Sequence, residues 1–197
     1  DNLRNKVSAI AGHFYRHPSR LMEVVGVTGT NGKTSCCQFV AAAMDYLGIR
    51  CGIIGTLGYG AVNDLRSTQH TTPDAITMQK MLADLSQEGF KAVALEVSSH
   101  GMDQGRVDGV RFDTAVFTNL TRDHLDYHGD MHSYAECKRR FFDLPGIRHA
   151  IINVDDPYGR KLVDRLPGRL AVYRYSISDR EADVRVTKVS FSAAGLK

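Results

Sequence analysis

The most constraining stretch runs from Leu21 to Leu47: an apolar run, LMEVVGVT, then GTNGKT, then SCCQFVAAAMDYL at helix length. A β-branched strand that turns through glycines into a helix aims successive backbone N–H groups and a helix N-terminus at one anion, which is how a phosphate-binding loop is built. In such a loop Gly29 and Gly32 let the backbone approach a phosphate, Lys33 reaches the β and γ phosphates as a point charge, and the Thr34 hydroxyl is placed to ligate the Mg²⁺ that travels with them. Thr30, Asn31 and Ser35 complete the nucleotide-binding stretch. The first glycine of the usual G-x-x-x-x-G-K-[ST] pattern falls on Val27, so the loop departs from consensus. It still reads as ATP or GTP binding.

The flanking sequence builds a sheet around this loop. Residues 1–20 read as a lead-in helix and linker, with Leu3, Val7, Ile10, Ala11 and Phe14 at helical spacing on a packing face and His17-Pro18-Ser19 ending it. Residues 50–55, 91–97, 113–117, 149–154, 170–175 and 184–191 read as strands, and 74–88 and 133–142 as helices, with a further helix starting at Asp155-Asp156-Pro157. Thr56 to Pro73 is a long polar and glycine-rich connection, and Ser98 to Arg111 a loop. Strands alternating with helices predict an α/β fold: a doubly wound, mostly parallel sheet with helices on both faces and sites at the carboxyl ends of the strands. A β-hairpin region is expected at the C-terminal end.

A chain of 197 residues with 43% apolar content supplies one sizeable core. Its 25 basic and 22 acidic residues are interspersed, which suits a phosphate-rich small ligand and offers no basic stripe for nucleic acid. Four cysteines without C-x-x-C spacing read as reduced thiols in a cytoplasmic protein. No apolar run approaches the roughly 18 residues a membrane span requires. A monomer is expected.

Two further stretches carry chemistry. Glu96 leaves a buried strand beside the phosphate loop and is a candidate second Mg²⁺ ligand; Ser98, Gln104 and Arg106 follow on the same loop, where Arg106 is suited to a carboxylate or phosphate. The run TNLTRDHLDYHGD holds Asp123, His124, Asp126, His128 and Asp130, an oxygen-rich set with imidazoles that is either a Mg²⁺ or Mn²⁺ site or a solvated turn.

GVTGTNGKT, HTTPDA, EVSSHG, FTNLTRDHLDYHGD, SYAECKRRFF and AIINVDDP, in that order, resemble the sequence blocks of the Mur ligase superfamily, and in particular its UDP-N-acetylmuramoyl-tripeptide synthetase branch. The match spans roughly Val24 to Asp156. It departs from the family where a run of threonines after the lysine is here Thr34-Ser35-Cys36-Cys37, and where some relatives carry asparagine in place of His70. The resemblance implies the central ATP-binding domain of a three-domain ligase, residues 21–197, with the N-terminal UDP-binding and C-terminal amino-acid-binding domains absent and the isolated chain inactive. The implied reaction transfers the γ-phosphate to the free carboxylate of UDP-N-acetylmuramoyl-L-alanyl-D-glutamate, and the amine of a diamino acid, meso-diaminopimelate or L-lysine, then displaces phosphate. By the same resemblance Lys33, Lys138 and His124 are catalytic; Thr34, Glu96, His124 and Lys138 hold magnesium, Lys138 as a carboxylated lysine; His70, Thr71, Thr72, Ser98, Gln104 and Arg106 contact the muramyl-peptide; and Asn153 lies near the adenine.

Two other readings compete. A folylpolyglutamate synthase-like ligase shares the loop and the chemistry but not HTTPDA or DHLDYHGD. A non-enzymatic P-loop nucleotide switch would need a base-specificity sequence such as N-K-x-D, which the chain lacks.

Overall fold

The computed structural model describes residues 3–188, 191–192 and 195–196. Its centre is a nine-stranded sheet in the order β4-β3-β2-β5-β1-β6-β7-β8-β9. These strands are β1 (Glu23–Thr28), β2 (Cys51–Gly55), β3 (Gly58–Ala61), β4 (Asp64–Arg66), β5 (Ala92–Glu96), β6 (Thr114–Phe117), β7 (His149–Asn153), β8 (Ala171–Ser176) and β9 (Val184–Arg185). From β2 to β9 every neighbouring pair is parallel. β3 and β4 extend the sheet antiparallel. A small pair, β10 (Phe191–Ser192) and β11 (Gly195–Leu196), forms the expected terminal hairpin.

The helices are α1 (Val7–Phe14), α2 (Lys33–Tyr46), α3 (Ala75–Gln87), α4 (Ser99–Asp103), α5 (Leu125–His128), α6 (Met131–Arg140) and α7 (Pro157–Val163). β1 is buried on both sides, so its residues alternate between two cores. Val25 and Val27 pack with Cys37 and Ala41 of α2. Val24 belongs to the larger core on the opposite face, with Met78, Leu82 and Leu85 of α3, Cys137 of α6 and Leu162 of α7. Gly26 points into that core, where a Cβ would overlap the rings of Phe112 and Phe141. The chain passes from β5 across β1 to β6, so the loops after these three strands meet at the switch point of the sheet.

Four expectations need correction. The connection from Thr56 to Pro73 is not irregular throughout: it holds β3 and β4, whose Gly58 and Gly60 adopt φ of 138° and 135°, conformations that interrupt any readable alternation. The loop Ser98 to Arg111 contains α4, capped by Ser98, whose Oγ accepts from Gly101 N at 3.0 Å. The lead-in element is a 3₁₀ turn (Leu3–Lys6) followed by α1, and it buries Ser8, Ala11 and Gly12 while Leu3, Ile10 and Phe14 stay exposed. Its small face allows the helix to sit close: Gly109 N donates to Ser8 Oγ at 2.7 Å, and a Cβ on Gly109 would overlap Ser8. Finally, the strand expected over 184–191 is only Val184–Arg185: residues 186–188 are outside any strand, 189–190 lie outside the described residues, and Phe191 belongs to β10.

Candidate functional site

β1 delivers its last residue, Thr28, to a loop that bends at Gly29, with φ of 148°, and enters α2 through Gly32, with φ of 83°. Gly29 is required for space as well as conformation, since a Cβ would overlap Thr118 Oγ1; Gly32 has nothing within 4 Å. The loop's first donors are already engaged. Thr30 N donates to Asn119 O at 2.9 Å, and Asn31 N to the Asn119 side-chain oxygen at 2.9 Å. The free anion-facing donors are therefore those at the start of α2, which a helix leaves without intrahelical partners.

Two lysines close over this loop. Lys33 Nζ donates to Gly29 O at 2.9 Å and Thr30 O at 2.8 Å, and Lys138 Nζ, from α6, donates to the same Gly29 O at 2.9 Å. Lys138 is 1% exposed, and among the described residues neither lysine forms a salt bridge. Burial, then repulsion from Lys33, pulls the Lys138 pKa down to about 7; burial also lowers that of Lys33. Lys138 is thus available as a free amine near neutral pH, whereas Arg139 and Arg140 on the same helix face outward and pair with Glu136, Asp143 and Asp103.

On the other side of the loop Glu96, 1% exposed at the end of β5, accepts from Thr34 Oγ1 at 3.0 Å, Thr56 N at 2.8 Å and Thr56 Oγ1 at 3.2 Å. Gly55 makes room for this carboxylate, because a Cβ there would overlap it. Gly55 and Thr56 were not singled out from sequence; their position at the end of the strand neighbouring β5 is the signal that identifies them.

The acidic and histidine-rich run does not converge: among the described residues no three His, Cys, Asp or Glu side chains gather for a metal. Asp130 caps α6 by accepting from Ser133 N at 2.8 Å, and Asp126 is exposed. His124 is held with φ of 51° and lies edge-on to His100, ring centroids 4.9 Å apart. His128 packs against Tyr134 at 5.1 Å.

The other candidates form a polar shelf beside Glu96. Thr72, 1% exposed, donates to Glu96 O at 2.7 Å and accepts from Ser98 N at 3.0 Å, so its hydroxyl braces the shelf. Arg106 donates to Gln104 Oε1 through Nε at 3.0 Å and Nη2 at 2.6 Å, and to Thr72 O at 2.7 Å. Its guanidinium is fixed by neutral acceptors and, among the described residues, forms no salt bridge. Thr71 Oγ1 lies 3.0 Å from Thr56 Oγ1, and His70 is exposed on a cleft of about 300 Å³ shared with Ser67, Thr68 and Asp74. Asn153 ends β7, donating to Thr118 O at 2.8 Å and accepting from Asp155 N at 3.0 Å.

A parallel sheet whose central strand runs into a glycine loop and a helix, with cations above the loop and a carboxylate beside the helix N-terminus, defines a nucleotide-binding domain of the P-loop class. The family model of the Mur ligase middle domain matches residues 27–197, and the chain belongs to that family. Relatives named UDP-N-acetylmuramoyl-L-alanyl-D-glutamate–2,6-diaminopimelate ligase include one from Pseudomonas aeruginosa, 52% identical over 99% of this chain and 40% of the relative, and one from Coxiella burnetii, 49% identical over 98% and 39%. The chain thus spans about 40% of the length of the curated relatives it matches. A solved structure of a ligase with the same name aligns with a TM-score of 0.86 at 34% identity, covering 98% of this chain and 40% of that one. A Mycobacterium tuberculosis folylpolyglutamate synthase, with a TM-score of 0.78 at 17% identity over 98% of this chain and 50% of its own, shares the fold.

Proposed function

We propose that the chain is the ATP-binding, phosphoryl-transfer unit of a ligase that joins 2,6-diaminopimelate to UDP-N-acetylmuramoyl-L-alanyl-D-glutamate through an acyl phosphate, a cytoplasmic step of peptidoglycan precursor synthesis. The observation that carries the chemistry is the meeting of Lys33 and Lys138 at one loop carbonyl, with Thr34 in the first turn of α2 hydrogen-bonded to Glu96. The relatives' names supply the choice of substrates.

Phosphoryl transfer asks a protein for positioning and charge neutralisation more than for covalent chemistry. Lys33, now folded onto the loop, swings to the β and γ phosphates when they displace its carbonyl partners. The N–H groups opening α2 hold the same anion. Arg106, fixed by Gln104 and Thr72, lies ready to pair with an acceptor carboxylate, and the cleft at His70 extends that surface toward the rest of the muramyl-peptide. Asn153, at the end of β7, would contact the adenine.

The oxygen donors at the loop fit magnesium: Thr34 and Glu96 would hold it, with His124 as the imidazole partner, and it would supply charge neutralisation on the phosphates. Lys138 fits carboxylation by CO₂, in which the neutral amine forms an N–C bond and releases one proton, leaving an anionic carbamate suited to a cation. Its burial without an acidic partner and its pKa of about 7 support this.

The test is ligation by the complete gene product supplied with ATP, Mg²⁺ and UDP-muramyl-dipeptide, with diaminopimelate, L-lysine or a folate and glutamate pair as alternatives. Tripeptide and ADP formed with diaminopimelate are expected. Product only from the folate pair, or ATP hydrolysis without ligation, overturns the proposal.

A further inference from the structure

We propose that Tyr134 is a positioning residue for the nucleotide phosphates: its hydroxyl pins Thr30, so that helix α6 keeps hold of the phosphate loop whichever state Lys138 is in. This rests on the ligase reading above, and in particular on Lys138 changing from amine to carbamate.

Counting protons favours one direction for the key hydrogen bond. Thr30 Oγ1 accepts from Thr121 N at 3.0 Å and lies 3.3 Å from Thr121 O and 3.2 Å from Tyr134 Oη; either hydroxyl can donate in the last contact, and the arrangement in which Tyr134 donates to Thr30 and Thr30 to Thr121 O is the one that gives both hydroxyl protons an acceptor. The Thr30 hydroxyl is then saturated by two elements, the loop after β6 and α6. Tyr134 is fully buried, which holds its phenol protonated and able to donate.

Tyr134 and Lys138 are four residues apart and share one face of α6. They touch consecutive loop residues, Thr30 and Gly29 respectively. Lys138 Nζ also lies 4.4 Å from the centre of the Tyr134 ring, so the aromatic face sets where the amine sits. Carbamate formation leaves Nζ one N–H in place of the amine's two and fixes its plane, which removes or weakens the bond to Gly29. The tyrosine's bond to Thr30 is unaffected by that change. It is the contact that keeps the loop registered against α6 while the lysine turns from neutral amine to anion.

The experiment is a double-mutant cycle in the complete gene product, reading equilibrium binding of a non-hydrolysable ATP analogue with Mg²⁺ and, in parallel, KM for ATP and for UDP-muramyl-dipeptide. Tyr134→Phe keeps the ring over Lys138 and removes only the hydroxyl. It is expected to weaken analogue binding roughly five-fold, as fits the loss of one buried hydrogen bond, with KM for ATP rising in step and KM for the acceptor unchanged. Thr30→Val should be weakened further by at most a small factor when Tyr134→Phe is added, because the two side chains act as one unit. Unchanged binding by Tyr134→Phe, effects of the two substitutions that multiply, or an equal rise in both KM values overturns the assignment. A parent that binds the analogue but forms no tripeptide refutes the ligase reading, while the binding cycle still decides the role of Tyr134. A parent that binds no nucleotide refutes both.

Discussion

Lys33 and Lys138 donate to the same carbonyl oxygen, that of Gly29, each at 2.9 Å. Two ammonium groups sharing one neutral acceptor, without a carboxylate on either, is an arrangement that favours loss of a proton, and the more buried lysine is the one that loses it. That arrangement suits the negative charge that the proposed function would bring, from nucleotide phosphates against Lys33 and from CO₂ on Lys138.

One consequence is a pH signature of folding stability. The Lys138 pKa falls from the ordinary 10.5 to about 7 on folding. Between those values the unfolded chain binds a proton that the folded chain does not, so this contribution makes stability rise with pH across that window and leaves it flat below. In CO₂-free, metal-free buffer, urea unfolding of the parent should gain on that of Lys138→Met by up to about 1.4 kcal/mol per pH unit between pH 7 and 9.5. Parallel pH profiles for the two proteins would show that the buried amine keeps its proton.

The two loop glycines should separate. Gly29→Ala places a Cβ against Thr118 Oγ1 in a backbone conformation that disfavours it, so a loss of about 2 kcal/mol or more is expected together with loss of nucleotide binding. Gly32→Ala meets nothing within 4 Å and pays only for its left-handed φ, about 1 kcal/mol. Thermal unfolding of both variants checks the order.

How much of this was legible in the sequence depended on whether a residue's role was local. Strand, glycine loop and helix from Val24 to Tyr46 follow from spacing alone, and Glu96 was found because it ends a buried strand beside them. The sharing of a helix face by Tyr134 and Lys138 also followed from their four-residue separation. What did not follow was depth: KRR reads as a solvated cation run, and only the packing of α6 against the loop shows that Lys138 is buried while Arg140 is exposed. Helix α1 misled in the opposite sense, because its small residues, rather than its apolar ones, allow close approach to Gly109. The hairpin β3–β4 was hidden by glycines at positive φ and by a polar composition.

Arg106 gives a prediction about the acceptor. Its guanidinium is oriented by three hydrogen bonds to Gln104 and Thr72 that a lysine cannot reproduce. Arg106→Lys in the complete gene product should raise KM for UDP-muramyl-dipeptide about ten-fold or more, the size expected for a lost charge-assisted contact, and leave KM for ATP within about two-fold. An equal rise in both would place Arg106 outside the acceptor site.

Isotope labelling tests whether Lys138 works as an anion made from CO₂, as proposed. The complete gene product, loaded with Mg²⁺, ATP analogue and ¹³C-bicarbonate, is examined by carbon NMR beside Lys138→Ala, and both proteins are assayed for ligation with and without added short-chain carboxylate. A carbamate resonance is expected in the parent and absent from Lys138→Ala, together with lost ligation that acetate or formate partly restores. A parent without that resonance, or a Lys138→Ala variant that ligates at the parental rate, contradicts it.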